Sequence, residues 1–190
     1  MSVTHTASLP IGTLIRRWRE RRRLTQLELS IQAQVSARHL SFVETGRSRP
    51  TSEMILHLSE QLDVPLRERN TLLLAGGYAP AYPQHALTAP PMSAISAAID
   101  TVLAAHGSMP TVVVDRHWEL SAYPGGDVNA EYVTDSIIVP LRCRTSHGEL
   151  SLFSTTTVFG APLDITVAEL AIECFYPAND STTAALKRYS

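Results

Sequence analysis

The sequence lacks the features that mark secreted, membrane-spanning and disulfide-stabilised proteins. Its 190 residues include two cysteines, Cys143 and Cys174, which are too few for a disulfide framework or a cysteine metal site. No apolar run approaches the roughly 18 residues that a transmembrane helix requires. Residues 1–10 have neither the basic nor the apolar region of a signal peptide. We therefore expect a soluble cytoplasmic protein without a membrane segment.

Motifs of catalytic, metal and cofactor sites are equally scarce. The seven histidines form neither an HxxxH nor an HxH pair. No glycine-rich phosphate loop is present, and no serine lies in a nucleophile elbow. Both cysteines fall on apolar faces of the predicted elements, where free cysteine behaves as a small core side chain. We therefore expect no enzymatic activity, no metal and no cofactor.

Charge is scarce overall and unevenly distributed. The formal net charge is −2, but residues 10–50 contain nine arginines against three glutamates, a net charge of +6. Residues 81–190 contain five basic and eleven acidic side chains, a net charge of −6. This asymmetry is typical of a chain in which one domain binds nucleic acid. An arginine run by itself more often marks a solvated helix face, so the inference depends on the adjacent motif.

Residues 25–50 predict two short helices joined by a tight turn. Thr25 and Glu28 form a capping box at the start of the first helix. Ser36 caps the second helix, and Gly46 ends it. The buried faces are expected to consist of apolar side chains at helical spacing: Leu27, Leu29 and Ile31 in the first helix, and Leu40, Val43 and the edge residue Phe42 in the second.

This layout is that of a helix-turn-helix, in which one helix braces the DNA backbone and the next enters the major groove. The polar end of the second helix is expected to meet base edges through Ala37, Arg38, His39 and Ser41, with the cap Ser36 beside them. Phosphate contacts, which fix the register on DNA, are expected from Gln26, Arg47 and Arg49. The predicted partner is therefore double-stranded DNA.

The segment resembles the Xre-type, lambda-repressor-like helix-turn-helix at Thr25, Gln26, Ser30, Val35, Ser36, Leu40, Glu44 and Gly46. The resemblance extends to bacterial regulators with a C-terminal MmyB-like, PAS-related ligand-binding domain, through the run RHLSFVETGRSRPTSEMILHLSEQLDVPLRERNTLLLAGGYAP. It implies that Arg16 or Arg17 pairs with Glu44, the alternative being a weak surface pair. Gln34 departs from the family, where glycine is usual. A left-handed backbone at Gln34 would cost roughly 1 kcal/mol.

Three further helices are predicted by apolar spacing and by caps: residues 11–22, 51–63 and 65–75. Together with the two central helices they form a predicted DNA-binding domain over residues 10–77. The proline-rich residues 78–91 show little periodicity and predict a linker. The N-terminal domain is therefore expected to be an all-α bundle of five helices.

The remainder, residues 92–190, predicts an α+β domain with an antiparallel sheet. A helix is expected at residues 92–106, strands within residues 111–120, and a hairpin from residues 136–145 and 149–160 around Ser146-His147-Gly148. Residues 165–177, with Thr166 and Glu169 as a second capping box, predict another helix. A short helical tail is expected up to Tyr189.

Two segments of this part resemble the MmyB-like domain. TVVVDRHWEL is similar to its opening strands, and residues 138–180 are similar to its closing hairpin and final helix. The family has a sizeable helical middle between them, which is abbreviated here near Leu120–Ser121. The PAS-like domain is therefore expected to be incomplete.

A PAS-like pocket is apolar with a few polar groups, and it binds a small hydrophobic ligand. The candidate lining residues are Val113, His117, Trp118, Leu141, Arg142, Phe153 and Phe159, with His117 or Arg142 as the polar anchor. The alternative, that the aromatic side chains only fill the core, stays open at each position.

Three functions remain after these exclusions. The first is a homodimeric transcriptional regulator that binds an operator and responds to a ligand. The second is a DNA-binding regulator whose C-terminal part only dimerises, because its pocket is incomplete. The third is a protein-interaction adaptor that uses a helix-turn-helix without binding DNA. The arginine-rich N-terminal segment favours the first two.

Overall fold

A computed structural model of the chain describes residues 9–107, 109–115, 140–145 and 148–188. The described residues divide into two compact units. The first is the chain up to Gln84 together with Leu163–Ile165, and the second is His85–Pro162 together with the residues from Thr166 onward. The predicted fold class is confirmed, because helices form the first unit and an antiparallel sheet with helices forms the second.

Five helices build the first unit: α1 (Ile11–Arg21), α2 (Gln26–Gln32), α3 (Ala37–Glu44), α4 (Ser52–Gln61) and α5 (Leu66–Ala75). Each helix contributes side chains to one hydrophobic core, and the largest of these are Ile15, Leu29, Leu40, Ile55, Leu58, Leu62, Leu72 and Leu73. Gly12 lets α1 approach α3, since a Cβ at that position would collide with the Val43 carbonyl oxygen. The five predicted helices are confirmed.

The helix starts follow the predicted caps. The Thr25 hydroxyl accepts a hydrogen bond from the Glu28 amide at 3.2 Å, and the Glu28 carboxylate accepts one from the Thr25 amide at 2.6 Å. The Ser36 hydroxyl accepts from the His39 amide at 3.1 Å at the start of α3. All three bonds satisfy amides that have no partner within their helices. The predicted capping box and the cap at Ser36 are confirmed.

All five helices end in the same way, with a left-handed residue that follows the last helical turn. The left-handed residues are Arg23, Gln34, Gly46, Asp63 and Gly77. In each case the amide of the next residue reaches back to a carbonyl in the last turn, as Val35 does to Ser30 at 2.9 Å. Gln34 has φ 53°, so the left-handed backbone considered for that position is present.

The buried face of α2 differs from the prediction. Leu29 is fully buried, and Ser30 and Ala33 are buried beside it, whereas Leu27 and Ile31 are 62% and 67% exposed. The prediction that Leu27 and Ile31 are buried was wrong. Helix α2 has only seven residues, and so short a helix contains two apolar rows that spacing alone does not distinguish. Helices α2 and α3 pack against each other.

The second unit contains a four-stranded antiparallel sheet with the order β1-β4-β3-β2. The elements that follow α5 in chain order are α6 (Ser93–Ala105), β1 (Thr111–Val114), β2 (Leu141–Thr145), β3 (Gly148–Val158), α7 (Ile165–Ala168), β4 (Ala171–Pro177) and α8 (Asp180–Leu186). The predicted first helix, first strand, hairpin strands and helical tail are confirmed. The expected second strand beyond Asp115, the start of the hairpin before Pro140 and the turn residues 146–147 lie outside the described residues.

The predicted helix over residues 165–177 was wrong. Only Ile165–Ala168 is helical, and Ala171–Pro177 forms β4 at the centre of the sheet, paired with β1 and β3. The residues expected on a helical stripe are indeed buried: Val167, Leu170, Ala171 and Cys174. Their spacing fits a helix, but Ile172, Cys174 and Tyr176 also alternate as a strand requires. Because β4 pairs with β1 on one edge and with β3 on the other, the segment adopts the strand period and not the helical one.

Helix α6 covers one face of the sheet through its apolar stripe. Ile99, supported by Ile95, Val102 and Leu103, packs against Leu170, Ile172 and Cys174. The His106 ring, at the end of α6, lies 3.2 Å from the Tyr176 hydroxyl, nitrogen to oxygen. Cys174 is buried in this core as predicted, whereas Cys143 is only half-buried. The second unit thus has a hydrophobic core of its own.

Candidate nucleic-acid interface

A buried ion pair fixes the angle between α1 and the end of α3. The Arg19 guanidinium donates two hydrogen bonds to the Glu44 carboxylate, at 2.7 and 2.8 Å, and the two side chains are only 10% and 1% exposed. Arg19 also donates to the Leu24 carbonyl at 2.8 Å. The Glu44 carboxylate raises the pKa of Arg19 further above its ordinary value. A two-pronged, charge-assisted contact of this kind fixes orientation as well as distance.

The expected pairing of Arg16 or Arg17 with Glu44 was wrong. Arg19 follows the core residue Ile15 by one helical turn, so it lies on the inward side of α1. Arg16 instead pairs with Glu20 on the outer face, where both side chains are more than half exposed. The family resemblance indicated the right type of contact, but the helical phase selects the arginine that makes it.

Gln26, at the first position of α2, is joined to the same network. Its side-chain amide nitrogen donates to the second Glu44 oxygen at 2.8 Å. One amide hydrogen is therefore used within the protein, while the other hydrogen and the carbonyl oxygen remain for a further partner. Glu44 thus ties the start of α2 to the end of α3, the two segments that a helix-turn-helix presents to DNA.

Much of the arginine run supports the fold. Arg22 donates to the Leu62 and Asp63 carbonyls at 2.8 and 2.7 Å, at the end of α4. Arg21 lies over the Trp18 ring at 4.9 Å from its centroid. Arg17 is exposed on the outer side of α1. The positive charge of this segment is therefore divided between structural contacts and the surface.

The predicted base-contacting residues lie together on the first turns of α3. Arg38 is exposed, while Ala37, His39 and Ser41 are half-buried at the surface. The Ser36 hydroxyl is used in capping the helix. An exposed helix end with a cation and small polar side chains fits the dimensions and chemistry of the major groove.

The loop after α3 holds the two remaining arginines differently. Arg49 donates to the Gly76 carbonyl at 2.9 Å and lies 5.7 Å from the centroid of the Tyr78 ring. Arg47 is exposed, and its guanidinium carbon lies 5.9 Å from the centroid of Phe42. One guanidinium N–H of Arg49 is thus used to anchor the loop, and Arg47 has its polar edge available.

Two structurally important residues of this region escaped prediction. The pairing with Glu44 was assigned to Arg16 or Arg17, although the place of Arg19 one turn after Ile15 marks it as inward-facing. Gly12 falls between the core positions Ile11 and Ile15, and a glycine within a helical apolar stripe is a signal of close helix packing. Both signals were present in the sequence.

The described residues of the predicted ligand set lie on both faces of the sheet. Opposed residues of an antiparallel pair share a face, so the strand registers place Val113, Arg142 and Phe153 on one side. Leu141 opposes Leu152 and lies on the other side. Phe153 stacks on Tyr176 with 5.4 Å between ring centroids, and Phe159 packs on the α6 core. His117 and Trp118 lie outside the described residues.

In the part of the chain that the structure describes, no group of three histidine, cysteine, aspartate or glutamate side chains is arranged to hold a metal ion. An open cavity of about 540 Å³ lies within the first unit, between the start of α1 and the ends of α3 and α5. No helix among the described residues is both long and apolar enough to span a membrane.

Comparison with known families matches residues 10–72 to the family described as "Helix-turn-helix domain". The matched range begins one residue before α1 and ends within α5. No curated protein matches the chain. The first unit therefore contains a helix-turn-helix domain, with α2 and α3 as its two central helices.

Proposed function

We propose that the chain is a sequence-specific DNA-binding transcriptional regulator of the Xre type, acting as a homodimer in the bacterial cytoplasm. The observation that carries the proposal is the exposed N-terminal end of α3, which presents Arg38 beside His39 and Ser41 within a matched helix-turn-helix domain. The net positive charge of residues 10–50 supports attraction to the phosphate backbone. The proposal includes no enzymatic role.

In this proposal the contacts divide by role. Arg38, His39 and Ser41 read base edges, with Ala37 close to them, and a two-pronged contact of Arg38 with guanine gives about 1–3 kcal/mol of discrimination. Gln26 and Arg47 hold phosphates through the donors that the fold leaves available. Arg49 contributes through its remaining N–H groups, since one is bonded to Gly76. Phosphate contacts fix the position of the domain but select no sequence.

The second unit is proposed to dimerise the protein and to bind a small hydrophobic ligand, as the MmyB-like resemblance suggests. A ligand shifts regulation only if it favours one arrangement of the two DNA-binding domains over the other. The alternative is a second unit that only dimerises. Titration of the purified dimer with a panel of apolar ligands distinguishes the two functions. A ligand that binds the folded protein raises the unfolding temperature, whereas a second unit that only dimerises shows no such rise.

The test of DNA binding is a selection from fragmented bacterial genomic DNA at increasing salt, with the bound fragments sequenced. We expect a steep fall in affinity with salt and one enriched half-site motif. The double reversal R38E/R47E should abolish binding. The matched control R144E/R188E makes the same change in net charge at two exposed arginines of the second unit and should bind normally. Equal binding by both variants would overturn the proposal.

A protein-interaction adaptor is the second candidate. The exposed apolar pair Leu27 and Ile31, one turn apart on α2, favours it, because clustered exposed apolar side chains often mark a protein contact. An adaptor would retain its partner in the R38E/R47E variant and lose it on replacement of Leu27 and Ile31 by serine. A regulator would lose DNA binding in the R38E/R47E variant and keep it when Leu27 and Ile31 are replaced by serine.

A further inference from the structure

We propose that Phe42 is a positioning residue for DNA recognition, and that its ring holds Arg38 and Arg47 in place for the duplex. The inference rests on the proposed function. The guanidinium carbons of Arg38 and Arg47 lie 5.3 and 5.9 Å from the centroid of the Phe42 ring. One half-buried aromatic side chain thus contacts both a proposed base-reading arginine and a proposed phosphate-holding arginine.

Arg38 reaches the ring because of helical geometry. It precedes Phe42 by four residues in α3, and side chains at this spacing lie one above the other on the same helix face. Phe42 is half-buried, whereas the neighbouring Leu40 and Val43 are buried in the core. Its ring is therefore partly exposed at the surface of α3, where both arginines reach it.

Arg47 reaches the ring because of the way α3 ends. After the left-handed Gly46, the Arg47 amide donates to the Phe42 carbonyl at 2.8 Å, which closes the last turn. In this motif the residue after the left-handed position normally makes an apolar contact with the last turn. At the other four helix ends of the first unit that residue is Leu24, Val35, Val64 or Tyr78. Only the end of α3, among these five helices, places an arginine there.

The contact is compatible with DNA binding. A guanidinium group stacks on an aromatic ring through its flat face, and its N–H donors point outward in the plane of the group. Arg38 and Arg47 can therefore donate to bases or phosphates while they stay on the ring. Holding them there before binding reduces the conformational entropy that is lost when the complex forms.

The experiment compares the wild-type chain with F42L and F42Y. Leucine keeps the apolar bulk without the aromatic face, whereas tyrosine keeps the face. We expect F42L to weaken binding to the selected operator by up to about thirtyfold, the limit set by two exposed cation–π contacts that no longer hold the arginines before binding, and F42Y to bind like the wild type. Y82L is the matched control, because it removes the ring that Arg69 contacts at 5.9 Å, away from α3.

A second readout does not depend on DNA. In the free protein, the side-chain Nε–H signals of Arg38 and Arg47, assigned with R38K and R47K, should show ring-current shifts in the wild type and F42Y but not in F42L. Unchanged signals in F42L would overturn the proposed contact. An F42L protein that binds the operator as tightly as the wild type, or more tightly, would overturn the positioning role and leave the proposed function intact. If neither wild type nor Y82L binds DNA, the proposed function itself has failed.

Discussion

At the scale of the residue, the Arg19–Glu44 pair joins α1 to the end of α3 through a buried, charge-assisted contact. The replacement E44Q removes the charge that neutralises a buried guanidinium. Breaking a buried pair by removing one partner typically costs about 3–5 kcal/mol, so we expect the free energy of unfolding to fall by about that amount. Urea unfolding followed by far-ultraviolet circular dichroism measures the change.

The chain provides its own control for this prediction. E20Q makes the same substitution in the exposed Arg16–Glu20 pair, whose side chains are 60% and 51% exposed. Exposed pairs are screened by water and contribute little to stability, so E20Q should unfold almost like the wild type. Equal effects of E20Q and E44Q would show that the buried pair has no special role.

A second residue-scale prediction concerns Gln34 in the turn of the helix-turn-helix. Its φ of 53° is strained for a side chain that has a Cβ, and glycine relieves that strain. Q34G should therefore raise the unfolding free energy by up to about 1 kcal/mol, reduced by the greater freedom of glycine in the unfolded chain. The control Q34A keeps the strain. A Q34G protein less stable than Q34A would contradict the explanation.

At the scale of the element, the sequence predicts best where local chemistry decides. Thr25, Glu28 and Ser36 act within one helical turn, so the residues themselves show where α2 and α3 begin. The predictions of the five helices and of the hairpin strands were correct because they depend on local signals of this kind. The exposed set on α3 follows as well, since Leu40 and Val43 fix which side of that helix faces inward.

Prediction fails where distant segments decide. The side of α2 that is buried is selected by packing against the other helices, and Leu29 rather than Leu27 meets the core. Helical phase marks Arg19 as inward-facing, but its partner Glu44 lies 25 residues away in the chain. Residues 171–177 become a strand because β1 and β3 supply hydrogen-bond partners on both edges. None of these long-range partners is visible in a local window of sequence.

The assignment of β4 as a strand can be tested at Glu173, because a strand and a helix predict opposite orders of stability for its valine and alanine variants. Glu173 is half-buried and faces Val112 and Thr156 across the two neighbouring strands. In a strand, E173V should add about 0.2–1 kcal/mol through these cross-strand contacts, whereas E173A should lose stability. In a helix alanine would be the better residue. Thermal unfolding of both variants therefore distinguishes the strand from the helix that spacing suggested.

At the scale of the whole molecule, the distribution of charge fits the roles proposed for the two units. The basic N-terminal segment would draw the protein to any duplex, since phosphate attraction is independent of sequence. Selectivity for an operator then requires base contacts from α3 and, in the proposed homodimer, two such helices held together. Affinity for nonspecific DNA and affinity for the operator should therefore respond to different changes.

The proposed homodimer makes a prediction about the spacing of half-sites. Two recognition helices in a twofold dimer meet half-sites about one DNA turn apart, roughly 34 Å. An insertion of about half a turn (5 bp) between the half-sites moves them to opposite faces of the duplex. We expect at least a tenfold loss of operator affinity on this insertion, measured by electrophoretic mobility shift at constant salt, with nonspecific affinity unchanged.

Mutation of one half-site base opposite Arg38 should weaken the unmodified operator but have little effect on the remaining nonspecific binding. An operator that tolerates the half-turn insertion would mean that each DNA-binding domain acts alone, because a rigid pair cannot reach both faces at once.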